Sequence, residues 1–213
     1  DWVIVRENTE GEYSGAGGRV HPKLPQEVGI DVSVFTRDGI ERVMRYAFEL
    51  ALTRPKKQLT LVTKSNAQRH GMVLWDEVFE KLKHDYPGIT TDRMLVDAIT
   101  TRMVLQPQSL DTIVATNLHA DILSDLAAAL SGSLGIGPTA NINPERTFPS
   151  MFEPIHGSAF DLVGKDLANP LGAFWSCVMM LEHLQEKKGA SLLMSAIEEV
   201  CQEGQHLPED LGG

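Results

Sequence analysis

Short apolar runs of strand length alternate with helical periods along most of this chain, and few architectures accept that alternation. Residues 2–5, 28–35, 59–63, 94–96 and 112–115 read as strands. The run 28–35 alternates apolar and polar residues, which predicts a strand with one face covered. Between the runs lie helical patterns. Thr36 can cap a helix that carries Ile40, Val43, Met44, Ala47, Leu50 and Ala51 on one face. A second spans about 72–84 and closes at Pro87-Gly88. A third opens at Asp97 and ends near Pro107, and a fourth runs from Ala120 to about Leu130. Strands separated by helices pair in parallel through crossovers, so the pattern specifies an α/β layered sheet with flanking helices. Residues 11–25 hold four glycines and two prolines and read as a loop or an extended arm. After Leu134 the texture changes. Residues 135–170 are rich in Gly, Pro and Asn, and two amphipathic helices follow at about 171–187 and 192–203. A lobe boundary is therefore expected near Gly135.

Composition bounds the function. With 213 residues, 42% hydrophobic and 23% charged, the chain can bury a core and has the makeup of a soluble globular protein. A net charge of -10 argues against a nucleic-acid surface, which needs a basic stripe. Cys177 and Cys201 have no metal-ligand spacing and make no disulfide framework, so a reduced, cytoplasmic setting is expected. No apolar run suggests a membrane span. The chain lacks an initiator Met, opens on a strand and stops at Leu211-Gly212-Gly213, so both ends are expected to be cut from a longer polypeptide.

The segment Asn117-Leu118-His119-Ala120-Asp121-Ile122-Leu123-Ser124-Asp125 follows the apolar run 112–115 directly. A helix opening there stands at the carboxyl end of a strand, where open α/β sheets bind ligands. The four-residue spacing puts Asp121 and Asp125 on one helical face. Two carboxylates without a basic neighbour repel, and a divalent cation is their natural partner. The plainer reading is a charged first turn favoured by the helix dipole.

Four further clusters fall at element ends. Arg6-Glu7-Asn8-Thr9-Glu10-Gly11-Glu12-Tyr13 leaves a strand. Its Arg can hold a carboxylate in a fork and its Tyr can donate a proton, or the segment is a turn with surface charges. Lys64, in Thr63-Lys64-Ser65-Asn66, is a base if nearby positive charge or desolvation favours its neutral form, and otherwise a solvated lysine. Asp97 follows Leu95-Val96 and reads alone as a helix cap. The run from Phe152 to Pro170 is a long loop, uncommon unless functional, whose N–H groups near Gly157 and Ser158 can cradle an anion. Neither a Walker signature nor a G-x-G-x-x-G fingerprint occurs.

Together, Arg-x6-Tyr, Thr-Lys-Ser-Asn, Val-Asp-Ala, Asp-Ile-Leu-Ser-Asp and Glu-Pro-Ile-His-Gly-Ser-Ala resemble the isocitrate and isopropylmalate dehydrogenase family. Residues 6–14, Asn117-Leu118-His119-Ala120-Asp121 and Phe160 look like its tartrate and D-malate branch, and the resemblance covers essentially the whole chain.

The resemblance implies oxidation, and oxidative decarboxylation, of a malate-like 2-hydroxy acid with NAD and Mn²⁺ or Mg²⁺, with K⁺ as a further cation. Arg6 would grip the substrate carboxylate. Asp121 and Asp125 would hold the metal, with Asp97 as a third carboxylate from the partner of a homodimer. Lys64, also from the partner, resembles the base, and Tyr13 the acid that protonates the enolate carbon. Glu153, His156, Gly157, Ser158, Asp161 and Asn169 resemble the adenosine-binding loop. A carboxylate at Asp161 accepts from ribose hydroxyls and repels a 2′-phosphate, which implies NAD over NADP. On this likeness residues 1–135 form the substrate, metal and dimerisation lobe, with residues 11–35 as its clasping arm. Residues 136–213 form the C-terminal part of the cofactor lobe. The family's N-terminal strands, further substrate arginines and closing helix would lie outside this sequence. 3-Isopropylmalate dehydrogenation, and a non-catalytic dimerising fragment, are the competing expectations.

Overall fold

The computed structural model describes residues 2–213 and separates into two compact units, divided between Ser124 and Asp125. The first is built on a four-stranded sheet. β1 (Val3–Arg6), β4 (Gln58–Thr63), β5 (Thr90–Leu95) and β6 (Thr112–Ala115) lie in the order β1-β6-β4-β5, and every pairing is parallel. The expected α/β layering with parallel pairing is what the chain adopts.

Alternation along β4 shows how the sheet is buried. Leu59 and Leu61 enter a core with Val5 and Val114, under α1 (Arg37–Thr53) and α2 (Gly71–Leu82). Val62 and Ile113 point the other way and are equally buried, as are Ile99 and Met103 of α3 (Val96–Leu105). Both faces are covered, so the strands read as continuous apolar runs rather than alternating ones. Thr36 caps α1 by accepting from Gly39 N, as its position predicts. Ile40, Val43, Met44, Ala47, Phe48 and Ala51 form its buried stripe. Phe48 is fully buried, stacked on Phe79 at 5.3 Å and on Tyr86 at 4.7 Å between ring centroids.

Residues 11–25, read as a loop or arm, contain a ten-residue strand. β2 (Gly11–Val20) pairs antiparallel with β3 (Val28–Val34), with a register shift between Gly11 and Ala16. The glycines that suggested a loop lie within the ribbon, where Gly17 sits so close to Ile30 O that a Cβ would come within 2.2 Å. The face expected to be covered on β3 is bare: Val28, Ile30, Val32 and Val34 are 41–48% exposed. Alternation encodes an apolar face, but it does not say what covers it.

α4 (Asn117–Leu130) starts three residues before the expected Ala120, and the division between units falls inside it. In the second unit β7 (Pro138–Asn141) and β8 (Met151–Pro154) form an antiparallel pair. Periodicity missed them because each is four residues long and carries a terminal proline. α5 (Leu171–His183) packs on both strands and on α6 (Lys187–Glu203). Contact is close at Gly172, where a Cβ would stand 2.8 Å from Gly135 O. The last two helices meet earlier than expected, because Gln185 turns the chain at φ 65° and α6 begins at Lys187. Among the described residues no helix is long and apolar enough to cross a membrane.

Candidate active site

Each of the four parallel strands delivers a chemically active side chain at its carboxyl end. β1 ends at Arg6, β6 leads into Asn117 and Asp121 of α4, β4 leads into Lys64, and β5 leads into Asp97 of α3. Because the strands are parallel, those ends lie along one edge of the sheet, which is where such sheets hold ligands.

Along that edge the chain forms two clusters. In the first, Arg6 donates from Nη1 to Asp121 Oδ1 at 2.6 Å, and from Nε and Nη2 to Asn117 Oδ1 at 3.0 and 2.7 Å. The Tyr13 hydroxyl donates to Asp121 Oδ2 at 3.2 Å, and the Arg6 guanidinium lies 5.8 Å from the Tyr13 ring centre. The negative charge of Asp121, helped by desolvation and by the hydrogen bond it accepts, raises the Tyr13 phenol above its usual 10, against the lowering effect of Arg6.

The second cluster is the ion pair of Lys64 with Asp97. The ammonium hydrogen bond holds the Asp97 carboxyl below its usual range. Asp97 does not cap α3; Leu95 occupies that position, and the carboxylate faces Lys64 instead. Behind the lysine, Ser65 donates to Asp76 Oδ2 at 2.7 Å and Arg93 donates to the same oxygen at 3.0 Å.

The turn between β1 and β2 is held by three acids. Buried Glu7 accepts from Thr9 N and from Glu10 N at 2.8 Å. Glu10 accepts from Thr36 N at 2.9 Å and Thr36 Oγ1 at 2.7 Å, at the start of α1. Glu12 accepts from Thr116 Oγ1 at 2.9 Å and Leu118 N at 3.3 Å, at the start of α4. Thr116 caps α4 locally, its Oγ1 accepting from His119 N at 3.4 Å, and Glu12, 106 positions away, takes the Leu118 N–H that this cap leaves open. His119 lies beside them, buried, and burial pushes its imidazole below the usual 6.5, with Glu12 opposing and Lys64 adding.

Asp125 lies one turn beyond Asp121 on α4 and is exposed. Among the described residues no group of three or more His, Cys, Asp or Glu gathers to hold a metal. Carboxylates such as those of Asp121 and Asp125 are hard oxygen donors of the kind that suit Mn²⁺ or Mg²⁺, and two of them would fill only part of a coordination set.

In the second unit the loop after β8 is open. Glu153, His156, Gly157, Ser158 and Asp161 are exposed, and Asp161 sits in the 3-10 turn Phe160–Leu162. His156 Nδ1 lies 2.9 Å from Gly157 O. Asn169 is tied down: its Oδ1 accepts from Leu171 N at 2.9 Å at the head of α5, and its Nδ2 donates to Asp210 Oδ2 at 3.0 Å. Asp210 also accepts from Ser133. Nothing in the sequence marked Asp210, which follows the last helical period. Asn117, His119 and Glu12 lie inside segments that the sequence singled out, but their contacts span too many residues to be read from spacing.

Residues 1–213 match the family described as isocitrate/isopropylmalate dehydrogenase. The chain is 67% identical over 213 residues to a "Probable tartrate dehydrogenase/decarboxylase" of Agrobacterium vitis, covering all of this chain and 59% of the relative. It is 49% identical over 217 residues to the D-malate dehydrogenase [decarboxylating] of Escherichia coli strain K12, covering all of this chain and 60% of that one. It is 46% identical over 219 residues to the tartrate dehydrogenase/decarboxylase of Pseudomonas putida, again with all of this chain and 60% of the relative covered. The crystal structure of isocitrate dehydrogenase from Methylococcus capsulatus superposes with a TM-score of 0.92 at 41% identity, over 99% of this chain and 61% of that one. The chain thus spans about three fifths of the length of these relatives. This chain, with its parallel sheet and a match that runs over residues 1–213, belongs to the isocitrate/isopropylmalate dehydrogenase family.

Proposed function

We propose that this chain carries the substrate and metal site, and part of the cofactor site, of an NAD-dependent dehydrogenase that oxidises and decarboxylates a malate-like 2-hydroxy acid, tartrate or D-malate. The observation that carries this reading is the Asp121 cluster: a guanidinium and a protonated phenol converge on one carboxylate at the carboxyl edge of the sheet. The names of the relatives support the substrate class.

In this reading Arg6 holds the substrate carboxylate, presenting the planar fork it now presents to Asp121 and Asn117. Lys64 would take the proton of the C2 hydroxyl, and NAD, when bound, would supply the hydride acceptor. Tyr13 gives its phenolic proton to the enolate carbon left by the departing carbon dioxide. Asp121, Asp125 and a second subunit's copy of Asp97 would hold Mn²⁺ or Mg²⁺, which supplies Lewis-acid polarisation of the C2 oxygen. His156, Gly157, Ser158, Asp161, Asn169 and Glu153 would line the adenosine side. Asp161 favours NAD because its carboxylate repels a 2′-phosphate.

The pairing of Lys64 with Asp97 on one cluster and of Tyr13 with Asp121 on the other supports a site completed by a homodimer. A bare apolar ribbon face on β3 needs a cover, because two strands alone bury too little surface to stand in water.

The test is NADH formation by the natural full-length protein with Mn²⁺ and a panel of tartrate, D-malate and 3-isopropylmalate. Turnover of tartrate or D-malate is the expected result. Turnover of 3-isopropylmalate alone would reassign the substrate, and silence with all three would point to a non-catalytic dimerising scaffold. Replacing Asp161 with Lys should weaken NAD binding; unchanged NAD affinity would overturn that assignment.

A further inference from the structure

Tyr13 is 57% exposed, with its hydroxyl 3.2 Å from Asp121 Oδ2 and the Arg6 guanidinium 5.8 Å from its ring centre. Side-chain packing does not fix a ring that lies so open. Its place must come from the backbone that carries it, and that backbone is fastened one residue earlier.

We propose that Glu12 is a positioning residue: its carboxylate ties the start of β2 to the first turn of α4 and so sets where the Tyr13 hydroxyl stands against Asp121. Three observations carry this. The two oxygens of Glu12 divide between Thr116 Oγ1 and Leu118 N, so the carboxylate grips a side chain and a helix N–H at once. A carboxylate at the positive end of a helix is held by the helix dipole as well as by its hydrogen bonds. Second, the preceding Gly11 adopts φ 87°, and a Cβ there would stand 3.1 Å from the Phe35 ring. The chain turns at this point in a conformation other residues resist, which brings Glu12 against α4. Third, Glu7 and Glu10 make their contacts within the turn and at α1, so of the three acids Glu12 is the one joined to α4. From Leu118, Asp121 is about one helical turn further on. Glu12 and Tyr13 therefore dock neighbouring strand positions onto neighbouring turns of one helix.

The inference rests on the reading of Tyr13 as proton donor, and a double-variant comparison separates the two. The natural full-length enzyme, with Mn²⁺, NAD and whichever hydroxy acid it turns over, is measured as wild type, Glu12→Ala, Tyr13→Phe and the double variant. A displaced catalytic group can cost up to about a hundredfold, and Glu12→Ala is expected to lower kcat about tenfold with KM for the acid changed less than about twofold. In the Tyr13→Phe background the same replacement is expected to change kcat less than about twofold, because what Glu12 positions is already gone. Glu12→Gln, which keeps the shape and one acceptor, should fall between. If Glu12→Ala fails to fold, Glu12→Gln and Thr116→Val carry the same comparison. Equal losses in both backgrounds, or a wild-type kcat in Glu12→Ala beside a slow Tyr13→Phe, would overturn the positioning role alone. A Tyr13→Phe enzyme at wild-type rate would overturn the reading of Tyr13 and this inference with it.

Discussion

Arg6 and Asp121 form an ion pair at 2.6 Å, so the residue proposed to hold substrate and the residue proposed to hold metal occupy each other in the free chain. Both ligands therefore compete with the same internal contact. A substrate carboxylate that takes Arg6 leaves Asp121 free for a cation, and linkage makes the help mutual. The expected outcome is that Mn²⁺ binds roughly tenfold more tightly when tartrate or D-malate is present. Arg6→Ala should bind Mn²⁺ better than wild type in the absence of the acid, since a neighbouring positive charge is removed, and should lose most of the coupling. Calorimetric titration of Mn²⁺ checks both. Weaker Mn²⁺ binding by acid-free Arg6→Ala would count against the competition.

Lys64 pairs with Asp97 rather than with the Asp121 cluster of its own chain. If each lysine serves the other subunit, two dead enzymes should rescue one another. Lys64→Gln and Asp121→Asn homodimers are expected to be inactive separately. Mixed dimers pair an intact Asp121 in one subunit with an intact Lys64 in the other and restore one site of the two. NADH formation after unfolding and refolding the mixture measures this; no recovery in verified heterodimers would place Lys64 in the site of its own chain.

Asp210 gives the second unit an acid-sensitive tie. Partial desolvation pushes its carboxyl up, but hydrogen bonds from Asn169 and Ser133, with the charge of His156, outweigh it, and the net shift is downward. A carboxyl that is more acidic when folded adds stability above its unfolded value near ~3.9, and that stability is lost as pH falls through the lower folded value. The gap in melting temperature between wild type and Asp210→Asn should therefore be open at pH 6 and close below about pH 4. The group is largely solvent-facing, so the gap should be small. A gap of constant size across that range would show that the charge of Asp210 is not its source.

Phe48 is the keystone of the α1–α2 core, fully buried between Phe79 and Tyr86. Truncating it leaves a cavity that neighbouring rings can only partly refill. Phe48→Ala is expected to cost about 3–5 kcal/mol, measured by urea denaturation. A loss under about 1 kcal/mol would mean the stack collapses onto the gap far better than rings usually do.

How much of this was visible beforehand depends on the range over which each feature is determined. Thr36 and its helix were legible because a cap and a 3.6-residue period are local facts. The parallel sheet followed from alternation, and Arg6, Lys64, Asp97 and Asp121 stood out because each follows a strand. β7 and β8 were illegible: four residues with a proline carry no period, and their pairing is supported by α5, which lies beyond them. The start of α4 was misplaced although Thr116 marks it locally as a cap, and only the Glu12 contact that completes it comes from the far side of the sequence. Asp210 gave no signal at all, since its partners at Ser133 and Asn169 become neighbours only after folding.

The sheet order β1-β6-β4-β5 also has a kinetic consequence. Among the described residues β1 pairs with β6 alone, so Val3 must wait for Thr112 before it gains a ladder bond. During synthesis β1 leaves the ribosome long before β6 exists, while β4 and β5, close in sequence, can already pair. Long-range parallel pairing is slow because loop closure must precede any reward. Arg6 and Asp121 are 115 residues apart and meet only when that last strand docks, so the candidate active site should be the final part of its unit to form.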